Sequence, residues 1–214
     1  SVNARYYYGA PVRGGHTQWT ANWDGTSPQV HGFEQFDFSP SGSARNGTAG
    51  ELTLDRDGNG LATIPFRSFD SIWQSGYQAL SLGFEASTQD SADAEVTARA
   101  GQTVFGASVL VGIESNVWMA SPTQGWDVRV VATTPEGHAV AGRTLQMNLM
   151  RRRWIASVEV DSQGYRHYGG QYVEEQVLTR SVQSQDRAVP VHFDLPGGGG
   201  YHIDVHLAET PAYA

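Results

Sequence analysis

Five side chains near the end of the chain are of types that bind metal ions. His202, Asp204 and His206 alternate with apolar residues, so in a strand all three would project from one face. His192 and Asp194 have the same spacing in the preceding segment. On adjacent strands of one sheet these five groups could bind zinc. Successive strands of a sandwich often lie in opposite sheets, however, so we favour two separate solvated faces and predict no metal site.

A run of three arginines, Arg151–Arg153, precedes Trp154. Arginine binds carboxylates and phosphates bidentately and stacks on aromatic rings, so such a run could bind an acidic partner. The chain has 14 basic and 22 acidic residues, a net charge of −8, which argues against nucleic acid or anionic lipid as a partner. We therefore favour a solvated strand end, or a loop that contacts a neighbouring domain.

The spacing of Asp55, Asp57, Asn59 and Gly60 matches the opening of a calcium-binding loop. A twelve-residue loop of this kind needs a bidentate glutamate at its last position, where this chain has Phe66. A tight turn between two strands accounts for the same Asp, Gly and Asn residues. We therefore predict a β-turn here and no calcium site.

Catalytic patterns are missing from the sequence. The acidic residues are scattered over predicted turns, no serine lies in a Gly-x-Ser-x-Gly motif, and there is no cysteine. The glycine run Gly197–Gly200 lies between two predicted strands and precedes no helix, so it does not resemble a phosphate-binding loop. We predict no catalytic residues and no cofactor, and that the chain is not an enzyme.

Strands and turns are the elements that must position these residues. Apolar residues alternate with polar ones over many short segments, the 25 glycines supply turns, and no segment keeps a 3.6-residue apolar period. The stretch Val104–Pro122 contains the end of one set of strands, a short joint and the first strand of the next set. We predict an all-β chain of two tandem antiparallel β-sandwiches of the immunoglobulin-like type, residues 1–105 and 106–214.

The second half repeats the plan of the first. Val140–Gly142 corresponds to Val12–Gly14, and Gly200–Thr210 shares Gly, Tyr and Glu at the same spacing with Gly76–Thr88. A period near 125 residues indicates tandem domains.

The two copies also differ at their ends. The first has no counterpart of the strand Val109–Ser115, and the second has none of the final strand Ala94–Val104. We expect each domain to lack one strand, the first domain its first strand and the second domain its last. We also predict a hairpin in each copy, at Glu51–Phe66 and Val177–Leu195.

Four segments together resemble a known family. ARYYYGAPVRGG, DRDGNGLATIPF, AEVTARAGQTVFGASVLVGI and WDVRVVATTPEGHAVAGRTLQMNLMRR are similar to consecutive macroglobulin-like domains of bacterial alpha-2-macroglobulins. The resemblance spans nearly all of the chain and consists of turn patterns and their order.

This resemblance implies a structural fragment of a large periplasmic protein, anchored to the inner membrane by lipid, that traps proteases. In that family a protease cuts a bait segment, the domains collapse around it, and many members bond to it through a thioester in a Cys-x-Glu-Gln motif. Without cysteine these 214 residues hold no thioester, and we identify no bait segment in them. The implied partners are neighbouring macroglobulin-like domains and, for the full-length protein, the target proteases.

Two other classes of protein fit the sequence. A tandem carbohydrate-binding or adhesin module would use exposed aromatic rings, for which Trp73, Trp126 and Trp154 are candidates. An accessory β-domain of a secreted hydrolase is the other class.

The joint between the two predicted domains, Gly106–Ser108, is too short for a flexible linker. We therefore expect Phe105 and Trp118 to form contacts between the domains.

Overall fold

The structure is a computed structural model that describes residues 1–40, 42–115, 117, 119–160 and 162–209. This part contains strands β1 (Val2–Asn3), β2 (His16–Thr26), β3 (Arg45–Thr53), β4 (Asn59–Gly60), β5 (Ala79–Gln89), β6 (Glu95–Phe105), β7 (Leu110–Ser115), β8 (Trp126–Thr133), β9 (Thr144–Val160), β10 (Arg166–Gln183), β11 (Val189–Phe193) and β12 (Gly200–Leu207), with a 3₁₀-helix (Phe66–Phe69) and a helix α1 (Asp70–Gln74) between β4 and β5. All strand pairs are antiparallel, which confirms the predicted all-β class.

The chain divides into two compact units. The first unit consists of Ser1–Pro28 and Ser39–Ala107, and the second of Gln29–Phe38 and the described residues between 108 and 209. The predicted division between residues 105 and 106 lies close to the last crossing of the chain between the units. The segment Gln29–Phe38 was expected in the first domain, but it belongs to the second unit. Whether either unit lacks a strand stays a prediction.

The first unit contains a four-stranded sheet in the order β3-β2-β5-β6 and a two-stranded sheet, β1-β4. Its core lies on one face of the larger sheet, where Trp23 of β2 and Leu80 of β5 pack with Ile72 of α1. These three side chains are at most 2% exposed. In the part of the chain that the structure describes, neither helical segment is long or apolar enough to cross a membrane.

The predicted hairpin Glu51–Phe66 is wrong in its pairing. A turn does form, because the backbone N–H of Asp55 donates to the carbonyl oxygen of Asn59 at 2.8 Å. However, β3 pairs with β2, whereas β4 pairs with β1. The turn residues therefore determine the local bend but not the partner of either flanking strand.

The second unit is a β-sandwich of two three-stranded sheets, β10-β9-β12 and β11-β8-β7. Leu145, Met147 and Leu149 alternate along β9 and point into one core, where they meet Val130 of β8 and Phe193 of β11. All five side chains have an exposed fraction of 0%. Because β10 and β11 lie in different sheets, the hairpin predicted over Val177–Leu195 is also wrong.

The segment Gln29–Phe38 adds an edge to the second unit. The backbones of Asp37 and Ile113 exchange two N–H···O bonds of 2.8 and 3.0 Å, so the segment pairs with the free side of β7. Phe38 is 1% exposed, and its ring lies 2.6 Å from where a Cβ on Gly112 would be. Nearby, Arg129 pairs with Glu114 and places its guanidinium 5.7 Å from the ring centre of Phe36.

One cross-strand pair on the surface of the second unit depends on pH. The Nδ1 atom of His192 on β11 lies 2.7 Å from Oδ1 of Asp127, its register partner on β8. This hydrogen bond raises the pKa of His192 above the ordinary value of 6.5, and the charges of Asp127 and Asp194 add to the effect. A raised pKa in the folded state means that the pair stabilises the unit when His192 is protonated.

We predict that Phe38→Ala lowers the free energy of unfolding of the second unit by roughly 3–5 kcal/mol, because it removes a ring that is buried over Gly112 of β7. Hydrogen exchange should become faster in β7 and β8 and stay unchanged in β2 and β5. Tyr7→Ala, which removes a fully exposed ring (101%), is the matched control and should have almost no effect. Faster exchange confined to β2 and β5 would contradict the assignment of this segment.

We also predict that Asp127→Asn lowers the free energy of unfolding more at about pH 5.5 than at about pH 8.5. The stabilisation is fully present below the unfolded-state pKa of about 6.5 and is lost as pH rises through the raised folded-state pKa. Urea unfolding at the two pH values measures this difference. In a His192→Gln background the same substitution should lose its pH dependence, and a persistent dependence would show that another group is responsible.

Candidate functional site

The most distinctive exposed surface of the second unit is a two-stranded extension of the sandwich. Strand β12 pairs with β9 only as far as Arg152, whereas β9 and β10 remain paired to Val160 and Arg166. We call residues 153–160 and 166–173 the distal ribbon. Its described side chains are exposed or half-buried on both faces, because only two strands form it.

One face of the distal ribbon carries aromatic and apolar side chains. Side chains alternate between the faces of a strand, and Trp154 is paired with Tyr172 and Val158 with Tyr168, so these four project from the same face. Their exposed fractions are 55%, 57%, 53% and 77%, in that order. We call these four residues the aromatic face.

The aromatic face has a defined geometry. The rings of Trp154 and Tyr172 meet edge-on, with centroids 4.8 Å apart. A Cβ on Gly170 would lie 2.6 Å from two atoms of the indole, so Trp154 extends diagonally over the bare backbone of β10. Any larger residue at position 170 would displace the indole. Gly170 therefore allows Trp154 to lie across the ribbon.

The three arginines have three different environments. Arg151 donates to the carbonyl oxygen of Gly198 at 2.7 Å, while the guanidinium of Arg152 lies 4.1 Å from the ring centre of Tyr172. Arg153 is on the opposite face and lies 3.7 Å from a carboxylate oxygen of Glu175. The run lies in the middle of β9, not at a strand end or in a loop, so that prediction is wrong. Because alternation separates the side chains, the run does not form one basic patch.

The five metal-binding candidates lie in two groups. His202, Asp204 and His206 are on β12, in the sheet with β9, whereas His192 and Asp194 are on and just after β11 in the other sheet. The separation that we favoured from the sequence is therefore present. Within the first group, His202 Nε2 lies 3.7 Å from Asp204 Oδ2. Among the described residues, no group of three His, Asp or Glu side chains is arranged to hold a metal ion.

The residues resembling a calcium loop form the turn instead. One carboxylate oxygen of Asp55 accepts hydrogen bonds from the backbone N–H groups of Asp57, at 2.8 Å, and Asn59, at 2.9 Å. The bond from Asn59 contributes most to lowering the pKa of Asp55, followed by the bond from Asp57. The carboxylate of Asp55 therefore stabilises the turn through these two hydrogen bonds. Phe66, which occupies the position of the required glutamate, begins the 3₁₀-helix.

The tryptophans proposed as a carbohydrate platform differ in exposure. Trp73 is 5% exposed in the core of the first unit, so its proposed role is wrong. Trp126 packs against the second core and donates from Nε1 to Ser115 Oγ at 2.8 Å. Only Trp154 of the three is largely exposed. Of the residues proposed for the joint, Phe105 ends β6 and Trp118 lies outside the described residues, so a stiff joint stays a prediction.

A small cavity of about 190 Å³ lies near the glycine run of the second unit. Its walls include Trp126, Leu195 and the backbone of Gly197–Gly200. Tyr201 also lines it, and its hydroxyl donates to the carbonyl oxygen of Gly197 at 2.9 Å. Among the described residues that line it, none has a carboxylate or imidazole that could act as a general acid or base near neutral pH.

Sequence reasoning identified Trp154 singly but missed the aromatic face to which it belongs. Two signals were present: Trp154, Ala156 and Val158 alternate along β9, and Tyr168 and Tyr172 lie an even number of residues apart on β10. Such alternation is ordinarily assigned to a core, and only the pairing of the strands shows that this face is uncovered.

Comparison with known proteins gives matches among solved structures alone. No protein-family model matches this chain, and no curated protein does. The native conformation of E. coli alpha-2-macroglobulin matches with a TM-score of 0.67 and 21% identity, covering 95% of this chain and 14% of that one. Salmonella alpha-2-macroglobulin reacted with methylamine gives the same four values. Escherichia coli alpha-2-macroglobulin activated by porcine elastase matches with a TM-score of 0.68 and 22% identity, covering 97% and 18%.

The chain therefore spans less than a fifth of the length of the proteins that it matches. At this level of identity the likeness concerns the fold. The chain is structurally similar, over nearly its whole length, to a segment of bacterial alpha-2-macroglobulins.

Proposed function

We propose that this chain is a structural segment of a bacterial alpha-2-macroglobulin-like protein that traps proteases. The observation that carries the proposal is the fold match over 95–97% of the chain, which includes both units. Two of the matched structures are protease-activated forms, one activated by porcine elastase and one by trypsin. We further propose that the full-length protein is periplasmic and held at the inner membrane by a lipid anchor.

The segment has a passive role in this proposal. The hydrogen bond between His192 and Asp127 lies on an exposed strand face, where no hydroxyl group of the described residues is bonded to the imidazole as a nucleophile would be. In this proposal the long strands β9 and β10 and the core of each unit have a structural role. Its proposed partners are neighbouring macroglobulin-like domains, while proteases bind the whole protein. The net charge of −8 supports the exclusion of nucleic acid.

The carbohydrate-binding alternative receives less support. It depended on a platform of three tryptophans, of which Trp73 is buried and Trp126 is partly buried. The accessory-domain alternative has no observation in its favour, whereas the matched structures reported above are alpha-2-macroglobulins.

We predict that the isolated chain does not inhibit elastase on either a large protein substrate or a small peptide. Trapping requires an enclosure, and two small units are too few to surround a protease. The full-length protein should block cleavage of the large substrate while leaving peptide cleavage intact, because a small molecule can still reach an enclosed active site. Initial rates with each substrate measure both effects.

The two halves of this experiment test different statements. Inhibition by the isolated chain would refute its passive role. Equal inhibition of both substrates by the full-length protein, or of neither, would refute the trap. A full-length sample denatured and refolded in the absence of elastase serves as the control for non-specific adsorption.

A further inference from the structure

We propose that the aromatic face of the distal ribbon is a docking surface for another domain of the same polypeptide, outside residues 1–214. This inference rests on the proposed function, because it requires the chain to be part of a longer protein. The matched proteins are more than five times longer than this chain, so most of such a polypeptide would lie outside the structure.

The composition of the aromatic face is typical of protein interfaces. Trp154, Tyr168 and Tyr172 are joined at one end by Arg152, and tryptophan, tyrosine and arginine are the residue types enriched at interface centres. Val158 completes the apolar surface. The opposite face of the ribbon carries Arg153 together with Ile155 and Val173, which are 49% and 36% exposed. Tryptophan and tyrosine rings, and not apolar character alone, therefore distinguish the aromatic face.

The size of the aromatic face also indicates a partner. Single exposed apolar side chains are common on soluble proteins and need no explanation. Here four lie next to one another, and at their measured exposures they present on the order of 400 Å² of accessible surface. Patches of this size on soluble proteins often mark interaction sites. Trp154 lies over Gly170, and this contact accounts for the position of its ring. No such contact accounts for the exposure of Tyr168, which is 77%.

The charge of Arg152 indicates which kind of partner surface would be complementary to the aromatic face. The register partner of Arg152 on β10 is Glu174, but its carboxylate lies near His202 Nε2, at 3.9 Å, and no described carboxylate forms an ion pair with Arg152. The guanidinium of Arg152 lies over Tyr172 instead, whereas its neighbour Arg153 has Glu175. A domain that buries the aromatic face should therefore place a carboxylate opposite Arg152. A second copy of the chain is a poorer occupant, because two chains with a net charge of −8 repel each other.

The test replaces Tyr168 in the full-length protein with the photo-cross-linking residue p-benzoylphenylalanine. After irradiation, mass spectrometry should find position 168 joined to residues outside 1–214. Mixing isotopically heavy and light protein separates links within one polypeptide from links between copies. The same photo-cross-linking residue at Tyr7, an exposed tyrosine of the first unit, is the control for non-specific labelling.

Two matched substitutions make the test specific. Arg152→Gln removes the charge on the aromatic face and should reduce the yield of the cross-link severalfold. Arg153→Gln changes the next residue, which points to the opposite face, and should leave the yield nearly unchanged. Both variants keep the strand pairing of β9, since the backbone is not altered. Equal loss in the two variants would show a general effect on the ribbon and overturn the docking surface.

Other outcomes would also overturn the inference. Cross-links between a heavy and a light polypeptide would show that the aromatic face binds a second copy of the protein. A cross-linking yield at position 168 no higher than at position 7 would show that no partner covers the face. Retention of the protein on an immobilised polysaccharide, lost in Tyr168→Ser, would assign it to carbohydrate. The elastase assay is independent of these readouts: loss of trapping with an intact cross-link refutes the proposed function alone, and trapping without the cross-link refutes only this docking surface.

Discussion

The pairing of β9 with two strands is the interaction on which the second unit depends. Over its first half β9 lies between β10 and β12, and its odd-numbered side chains, Leu145 to Leu149, point into the core. Beyond Arg152 it has β10 alone, and a two-stranded ribbon has no third strand or second layer to stabilise it. The distal ribbon is therefore stabilised mainly by its attachment to the sandwich and by contacts such as that of Trp154 with Tyr172.

Local patterns predicted much of this fold. The bounds of β8, Trp126–Thr133, follow from the sequence because its branched residues are flanked by turn residues on both sides. Strand partners were harder to predict. Asp55 and Gly58 determine a turn through short-range hydrogen bonds, but β4 pairs with β1, more than fifty residues away, and no local signal records that choice. For the same reason no local signal showed that Phe36 and Phe38, which are buried, belong to the second unit.

The candidate site was less predictable than the fold. Alternation placed His202, Asp204 and His206 on one face, and a sandwich was expected to separate them from His192. The uncovered aromatic face could not be recognised in the same way. An alternating apolar pattern shows that one face differs from the other, but it does not show whether anything covers that face. That information lies in where β12 begins: its first residue, Gly200, pairs with Arg152, so no described strand lies beside residues 153–160 on that side.

The path of Gln29–Phe38 also limits how this pair of units could be rearranged by recombination. Tandem domains joined by a single crossing can be exchanged as gene segments, because each segment encodes a complete core. Here a cut between Ala107 and Ser108 would leave the second unit without the ring that fills the space over Gly112. The first unit would carry the ten-residue segment Gln29–Phe38. Its aromatic rings would then have no core in which to be buried. The two units must therefore be inherited and exchanged together.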